Sequence, residues 1–262
     1  MRIRVLRAVL GCLALAVAGL IGLLAIQALI ATSDVPDVGY TPPSPAPRTF
    51  GAAGTGPALR YVVIGDSTAT GEGAPYERSI AVASARHLAA RRPVTLRNLA
   101  VSGARFGDVR RDQLPAAARA APDVVLVAAG ANDVTGLTGV GSVRADLREI
   151  ADRLRAARCD VAIVVTGSPD IGAVPRLAQP LRAAAGSRTG RLNRAIANVA
   201  RERGLVLAPI AERTGRLFRA DRSLFAADEF HPSAAGYATW APVIADALDD
   251  ALRRAEMRSG CR

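Results

Sequence analysis

Lysine is absent from the 262 residues, so arginine alone carries the 34 basic charges that face 23 acidic ones. The resulting formal net charge is +11. Aromatic residues make up only 4% of a chain that is 50% hydrophobic, so the core must be built mainly from Ala, Val, Leu and Ile. The same scarcity argues against nucleic-acid binding, which interleaves aromatic and basic side chains. The arginines are scattered along helical stretches beside acidic residues, as in Arg144-Ala145-Asp146-Leu147-Arg148-Glu149. That is the pattern of solvated helix faces. Attraction to an anionic lipid or polymer surface stays open. Histidine occurs twice, as His87 and His231, which leaves few candidates for a general base. No internal repeat is visible.

Charge is also missing from Ala8 to Ala31, where Gln27 is the only strongly polar side chain. Such a run of about 24 residues makes a helix of roughly 36 Å, enough to span a bilayer core with some tilt. Arg2, Arg4 and Arg7 precede it, and the positive-inside rule then places the remainder of the chain outside the cytoplasm. The competing reading is a cleaved signal peptide and a secreted product. Its apolar region is usually shorter, and Ala28-Leu29-Ile30-Ala31 fits a small-x-small cleavage site poorly. Cys12 lies too early in the run for a lipoprotein signal and reads as a small apolar residue of the span. Residues 32–58 are rich in Pro, Gly, Ala, Ser and Thr without periodicity, which predicts an extended tether holding the following domain off the membrane. The expected organisation is an anchor over 1–31, a linker over 32–58 and one domain over 59–262.

Within that domain, five apolar runs alternate with helical patterns. Tyr61-Val62-Val63-Ile64 leads into Gly65-Asp66-Ser67. The run from Val94 to Leu99 leads into Ala100-Val101-Ser102-Gly103. Val124 to Ala128 leads into Gly130-Ala131-Asn132-Asp133, and Val161 to Val165 into Thr166-Gly167-Ser168-Pro169. Leu205 to Ala208 is the shortest run. Helices are expected over 79–90, 106–114, 142–157, 192–203 and from Pro232 to about Glu256, with Pro115 stopping the second of them. A loop or lid is expected up to about Arg188. Strands alternating with helices predict a parallel sheet with helices on both faces, a three-layer α/β/α sandwich. Ligands of such sheets bind outside the carboxyl ends of the strands. Ser67, Gly103 and Asn132 are therefore expected at one rim, with Asp228 and His231 in the last loop before the final helix.

These residue types suit acyl transfer. A serine hydroxyl is a weak nucleophile without a base. A neutral imidazole supplies one near pH 7, and a carboxylate three residues earlier is close enough to fix its tautomer. An oxyanion needs preorganised donors. The backbone N–H groups of Ser67 and Gly103 and the amide of Asn132 are the candidates. Each element also has a plainer explanation: Gly103 as a turn residue, Asn132-Asp133 as a helix cap, Asp228 as a cap of the last helix. His87 lies in a helical stretch and reads as a surface or half-buried histidine.

Taken together, Gly65-Asp66-Ser67, Gly103, Gly130-Ala131-Asn132-Asp133 and Asp228-Glu229-Phe230-His231 resemble the four ordered blocks of the SGNH (GDSL-like) hydrolases. The resemblance runs from about Arg60 to the terminal helix. It implies a flavodoxin-like fold, Ser67 as nucleophile and first oxyanion donor, Gly103 and Asn132 as further donors, and Asp228 and His231 as acid and base. It also implies a structural role for Asp66, and neither a metal nor an organic cofactor. Thr68 stands where the family name implies Leu. Ala69 excludes a G-x-S-x-G elbow.

The expected activity is hydrolysis of carboxylic esters, short-chain ones by default, through an acyl-enzyme. The expected substrate is a small ester or an acylated envelope lipid or sugar, and the expected state is a monomer. Acyl transfer to, or deacetylation of, an envelope sugar or lipid uses the same residues. A silent envelope-binding domain that kept the fold is the non-enzymatic alternative. Cys159 and Cys261 either pair or stay as separate thiols.

Overall fold

The computed structural model describes residues 2–33, 35–44, 46–51 and 57–258. In chain order the elements begin with α1 (Arg2–Thr32), β1 (Arg48–Phe50), β2 (Leu59–Gly65), α2 (Ser67–Thr70), α3 (Ile80–Ala89) and β3 (Val94–Asn98). There follow α4 (Phe106–Asp108), α5 (Leu114–Arg119), β4 (Val124–Ala128), α6 (Ala131–Thr135), α7 (Val140–Ala157) and β5 (Ala162–Val165). The last are α8 (Leu181–Glu202), β6 (Val206–Leu207), α9 (Ile210–Ala220) and α10 (Ala234–Glu256).

The sheet has the order β1-β3-β2-β4-β5-β6. Its last five strands are mutually parallel, as the alternating pattern requires. Counting only these, the order is the doubly wound 2-1-3-4-5 arrangement, with its switch point beside the first parallel strand. β4 is central, and all of Val124–Ala128 is buried, which is why it reads as an unbroken apolar run. β3 instead alternates, burying Val94, Leu96 and Asn98. One face of the sheet carries α3 and α10, and the other carries α5, α7 and α8. α7 shows why these helices dock: Val143, Leu147, Ile150, Ala151 and Leu154 fall at helical spacing on one buried stripe.

β2 must end where β4 passes closely. Gly65 has φ +151°, and a Cβ there would lie 1.9 Å from the Ala128 carbonyl oxygen. No side chain fits, so the chain turns at this glycine and delivers Asp66 and Ser67 to the rim.

Several boundaries depart from the sequence reading. β1 lies inside the expected linker and pairs antiparallel with β3, Arg48 opposite Leu96 and Phe50 opposite Val94. The sheet therefore has a sixth strand at its edge. Gly39–Thr41 also lies against Thr70, Gly71 and Tyr76, so the segment follows the domain surface. Pro115 does not stop a helix. A π-turn over Val109–Gln113 intervenes, and Pro115 then sits in the first turn of α5, where a missing N–H is tolerated. α8 begins at Leu181, inside the expected loop, and α9 occupies a stretch read as no element at all. Pro232 precedes the last helix, whose cap is Ser233 with its side chain accepting from Gly236 N–H. The Cys159–Cys261 question falls on Cys261, which lies outside the described residues; Cys159 is exposed.

Candidate active site

Five chain segments meet at the carboxyl edge of the sheet. Ser67 opens α2 behind its cap, Asp66. The Asp66 carboxylate accepts from Thr68 N–H (2.9 Å) and Thr68 Oγ1 (2.7 Å). The Asp66 carbonyl accepts from the N–H groups of Ala69 and Thr70 at 3.0 and 3.1 Å. Asp66 thus engages the first-turn donors that follow Ser67 and leaves the Ser67 N–H itself out of that set. Asp66 is fully buried, and burial pushes its carboxyl up to about 6 against the two Thr68 hydrogen bonds; Asp133 adds to the rise and His231 opposes it. It is a structural cap and not the partner of the histidine.

That partner is Asp228. His231 Nδ1 lies 2.5 Å from Asp228 Oδ2, and His231 Nε2 lies 3.0 Å from Ser67 Oγ. Asp228 Oδ1 accepts from the N–H groups of Phe230 and His231, both at 3.0 Å. The three-residue spacing is therefore a compact turn whose carboxylate holds both the backbone and the ring. Burial alone would raise this carboxyl, but the His231 ring and the backbone donors hold it below the usual carboxylate range. The residues expected to form a triad are within hydrogen-bond reach of one another, with Asp228 buried.

Gly103 and Asn132 also converge. Asn132 Nδ2 donates to the Ala104 carbonyl at 3.2 Å, which ties the start of α6 to the Gly103 turn. An amide nitrogen carries two hydrogens, so one remains for a ligand. Nothing stands within 4 Å of a Cβ position at Gly103, so its backbone borders open space. Asp133 fixes this pairing from behind by accepting from Phe106 N–H at 3.1 Å, at the start of α4. Arg188 on α8 donates to the carbonyls of Asp133, Val134 and Thr138 and pins the turn after α6.

His87 lies elsewhere. Its Nε2 is 3.0 Å from Asp249 Oδ1 of α10, so it bridges two helices on one face of the sheet.

Other site residues escaped the sequence reading. Glu72 Oε2 lies 3.9 Å from His231 Nε2 and accepts from Ser102 Oγ. Its carbonyl accepts from Tyr237 Oη at 2.7 Å. Gly73, with φ +93°, packs so tightly that a Cβ would lie 2.9 Å from His231 Cβ and 2.6 Å from the Pro232 carbonyl oxygen. The Gly-rich turn after Ser67 was the only available signal for either. Beside Ser67 and His231 lies a cavity of about 30 Å³, walled by Phe218, Phe225, Phe230 and Trp240. Three of the chain's five phenylalanines and its one tryptophan are thus gathered here. Among the described residues, no cluster of three or more His, Cys, Asp or Glu side chains is arranged to hold a metal ion.

Comparison with known proteins gives this arrangement a context. The GDSL-like lipase/acylhydrolase family profile matches residues 63–239. The "GDSL-like esterase Rv1075c" of Mycobacterium tuberculosis (strain ATCC 25618 / H37Rv) is 38% identical over 201 residues. That match covers 74% of this chain but 63% of the relative, so the chain spans less than two thirds of its length. Among solved structures, TesA superposes with a TM-score of 0.60 at 19% identity, covering 74% of this chain and all but 1% of TesA, since 99% of it is matched. Phospholipase A1 from Streptomyces albidoflavus NA297 gives 0.56 at 23%, over 73% of this chain and 100% of that one. Axe2, an acetylxylan esterase from Geobacillus stearothermophilus studied as a catalytic mutant, gives 0.59 at 16%, over 76% and 95%. At these identities the structures speak to the fold, and the profile match carries the family. The chain belongs to the GDSL-like lipase/acylhydrolase family, the SGNH hydrolases.

Proposed function

We propose that this protein is a membrane-tethered, extracytoplasmic serine esterase that removes short acyl groups from carboxylic esters through an acyl-enzyme. The observation that carries the chemistry is the relay Ser67 Oγ to His231 Nε2 to Asp228, at 3.0 and 2.5 Å. His231 takes the Ser67 proton as Oγ attacks the ester carbonyl. The ionised Asp228 holds the Nδ1–H tautomer and stabilises the imidazolium. The oxyanion is met by the N–H groups of Ser67 and Gly103 and by Asn132 Nδ2. Collapse expels the alcohol, protonated by His231, and leaves the acyl group on Ser67. Water, deprotonated by the same imidazole, then attacks the acyl-enzyme and releases the acid. A cavity of about 30 Å³ against Ser67 supports a small acyl group. The tether reading rests on α1, which is long and apolar enough to cross a bilayer, and on the arginines at its start.

The test is an acyl-length series of p-nitrophenyl esters with the full chain and with Ser67→Ala. The expected result is highest kcat/KM for the acetyl or butyryl ester and loss of turnover in a Ser67→Ala protein that keeps its thermal transition. Retained turnover in that variant overturns the assignment.

A further inference from the structure

The end of α1 is built into a cavity. Among the described side chains of α1, only Leu24, Gln27 and Ala31 are partly covered. Spaced by three and four residues, they form one helix face. Gln27 is the lone strongly polar side chain of the uncharged run, and a polar group there is costly unless it is bonded. Its Nε2 donates to the Gln179 carbonyl at 2.6 Å, and its Oε1 accepts from Leu181 N–H at 3.2 Å. It thereby caps α8, whose N-cap residue Pro180 supplies no side-chain acceptor. Arg176 answers from the domain. Its Nε donates to the Ala31 carbonyl at 2.6 Å and its Nη2 to the Ser33 carbonyl at 2.5 Å, satisfying acceptors at the carboxyl end of α1. Its Nη1 reaches the Asp228 carbonyl at 3.4 Å, in the loop that carries His231.

Between this helix end, α6 and α8 lies a cavity of about 420 Å³, its walls mostly apolar, among them Ala31, Leu177 and Phe230, with Arg176, Arg188 and Arg191 also on its lining. Its size falls within the range of about 300–1,000 Å³ common to small-molecule sites. Phe230 also walls the small cavity at Ser67 and stands edge-on to the His231 ring, with centroids 5.1 Å apart. The two cavities therefore lie on either side of Phe230. The small one touches Ser67 and suits the acyl group, which stays covalently attached. The large one touches neither Ser67 nor His231 and suits the alcohol, which must leave.

We propose that the carboxyl-terminal turn of α1 is a wall of the substrate site, and that the large cavity binds the hydrocarbon chain of the alcohol part of a membrane-borne ester. The inference rests on the esterase reading above. An apolar chain lying in the same bilayer as α1 reaches this cavity along the helix itself. α1 then does more than hold the domain near the membrane: it completes a specificity pocket.

The experiment measures acetate released from ethyl acetate and dodecyl acetate, and ethanol released from ethyl acetate and ethyl dodecanoate, by the full chain in phosphatidylcholine vesicles. Gln27→Leu and Ala31→Trp disturb the wall. Leu29→Trp, at a position 70% exposed on α1, is the reference. The wild type and Leu29→Trp are expected to favour the dodecyl ester by at least about tenfold in kcat/KM, since each buried methylene contributes several-fold. Both wall variants are expected to lose most of that ratio. The same ratio in all four proteins overturns the pocket and leaves the esterase reading standing. A loss of preference confined to ethyl dodecanoate over ethyl acetate overturns the assignment of the cavity to the alcohol. A wild type that releases acetate from neither ester overturns both readings.

Discussion

Two buried carboxylates that both feel the charge of one histidine have opposite fates. Asp228 is held ionised by the donors around it, and Asp66 is pushed toward its neutral form by burial. Substituting Asp228→Asn keeps an acceptor for the Phe230 and His231 N–H groups but removes the charge that stabilises an imidazolium. The expected loss in kcat is about 10²–10⁴-fold with little change in KM, read from steady-state kinetics. Asp66 affects stability with the reverse sign. Its folded carboxyl titrates at about 6 against 3.8 as the ordinary value, so the folded state binds the extra proton between those pH values. Stability from this group is then fully present below about pH 4 and is lost as pH rises to about 6. Asp66→Asn removes that loss, so its stability relative to wild type should rise by about 1.4 kcal/mol per pH unit from pH 4 to 6. Thermal melting at several pH values checks this, and a pH-independent difference contradicts it. The candidates Ser67, Asp228, His231, Gly103 and Asn132 could be named from sequence because each follows an apolar run or precedes the last helix, and because together they resemble the four SGNH blocks. Glu72 could not be, because its approach to His231 depends on how the turn after Ser67 folds back.

At the scale of elements, side-chain amides finish what the strands leave open. Gln113 accepts from Gly65 N–H at 2.8 Å and donates to the Gly65 carbonyl at 2.9 Å, imitating one more strand partner at the end of β2. Asn193 does the same for Ser168 beyond β5, with both bonds at 2.9 Å. Gln113 reaches Gly65 from the end of the π-turn, which gives that irregular turn a structural purpose. Gln113→Ala leaves the buried Gly65 N–H without its acceptor, while the Gly65 carbonyl keeps the Val101 N–H at 3.1 Å. We expect a loss of about 1–3 kcal/mol in denaturant unfolding. Activity should fall as well, because Gly65 leads directly to Ser67. Neither clamp was readable from sequence, since each joins residues brought together only by the folded sheet. β2, β4 and β5 were readable from their continuous apolar runs, and β3 from the run from Val94 to Leu99. β1 was not: three residues gain strand character from pairing with β3, not from their own composition. The start of α8 was hidden by loop-like Ala, Gly and Ser, and packing against the turn at Ile171–Ala173 overrides that composition.

For the whole molecule, the structure shows how the end of α1 meets the domain. The expected tether was to hold the domain off the membrane. Among the described residues, the end of α1 bonds to the domain through Gln27 and Arg176, and Arg48–Phe50 lies along the sheet edge. Ala28 and Ala31 contribute to a cavity wall and Arg48–Phe50 to the sheet edge. A small cavity at Ser67 and a larger one against α1 share Phe230 as a wall. The site's chemistry rests on one claim, that Ser67 is a nucleophile activated by His231. The most direct test exposes the folded full chain to a fluorophosphonate and maps the adduct by peptide mass spectrometry. The account predicts one adduct, on Ser67, absent from Ser67→Ala and strongly slowed in His231→Ala. A folded wild-type protein left unmodified at Ser67, or one labelled as fast without His231, would contradict it.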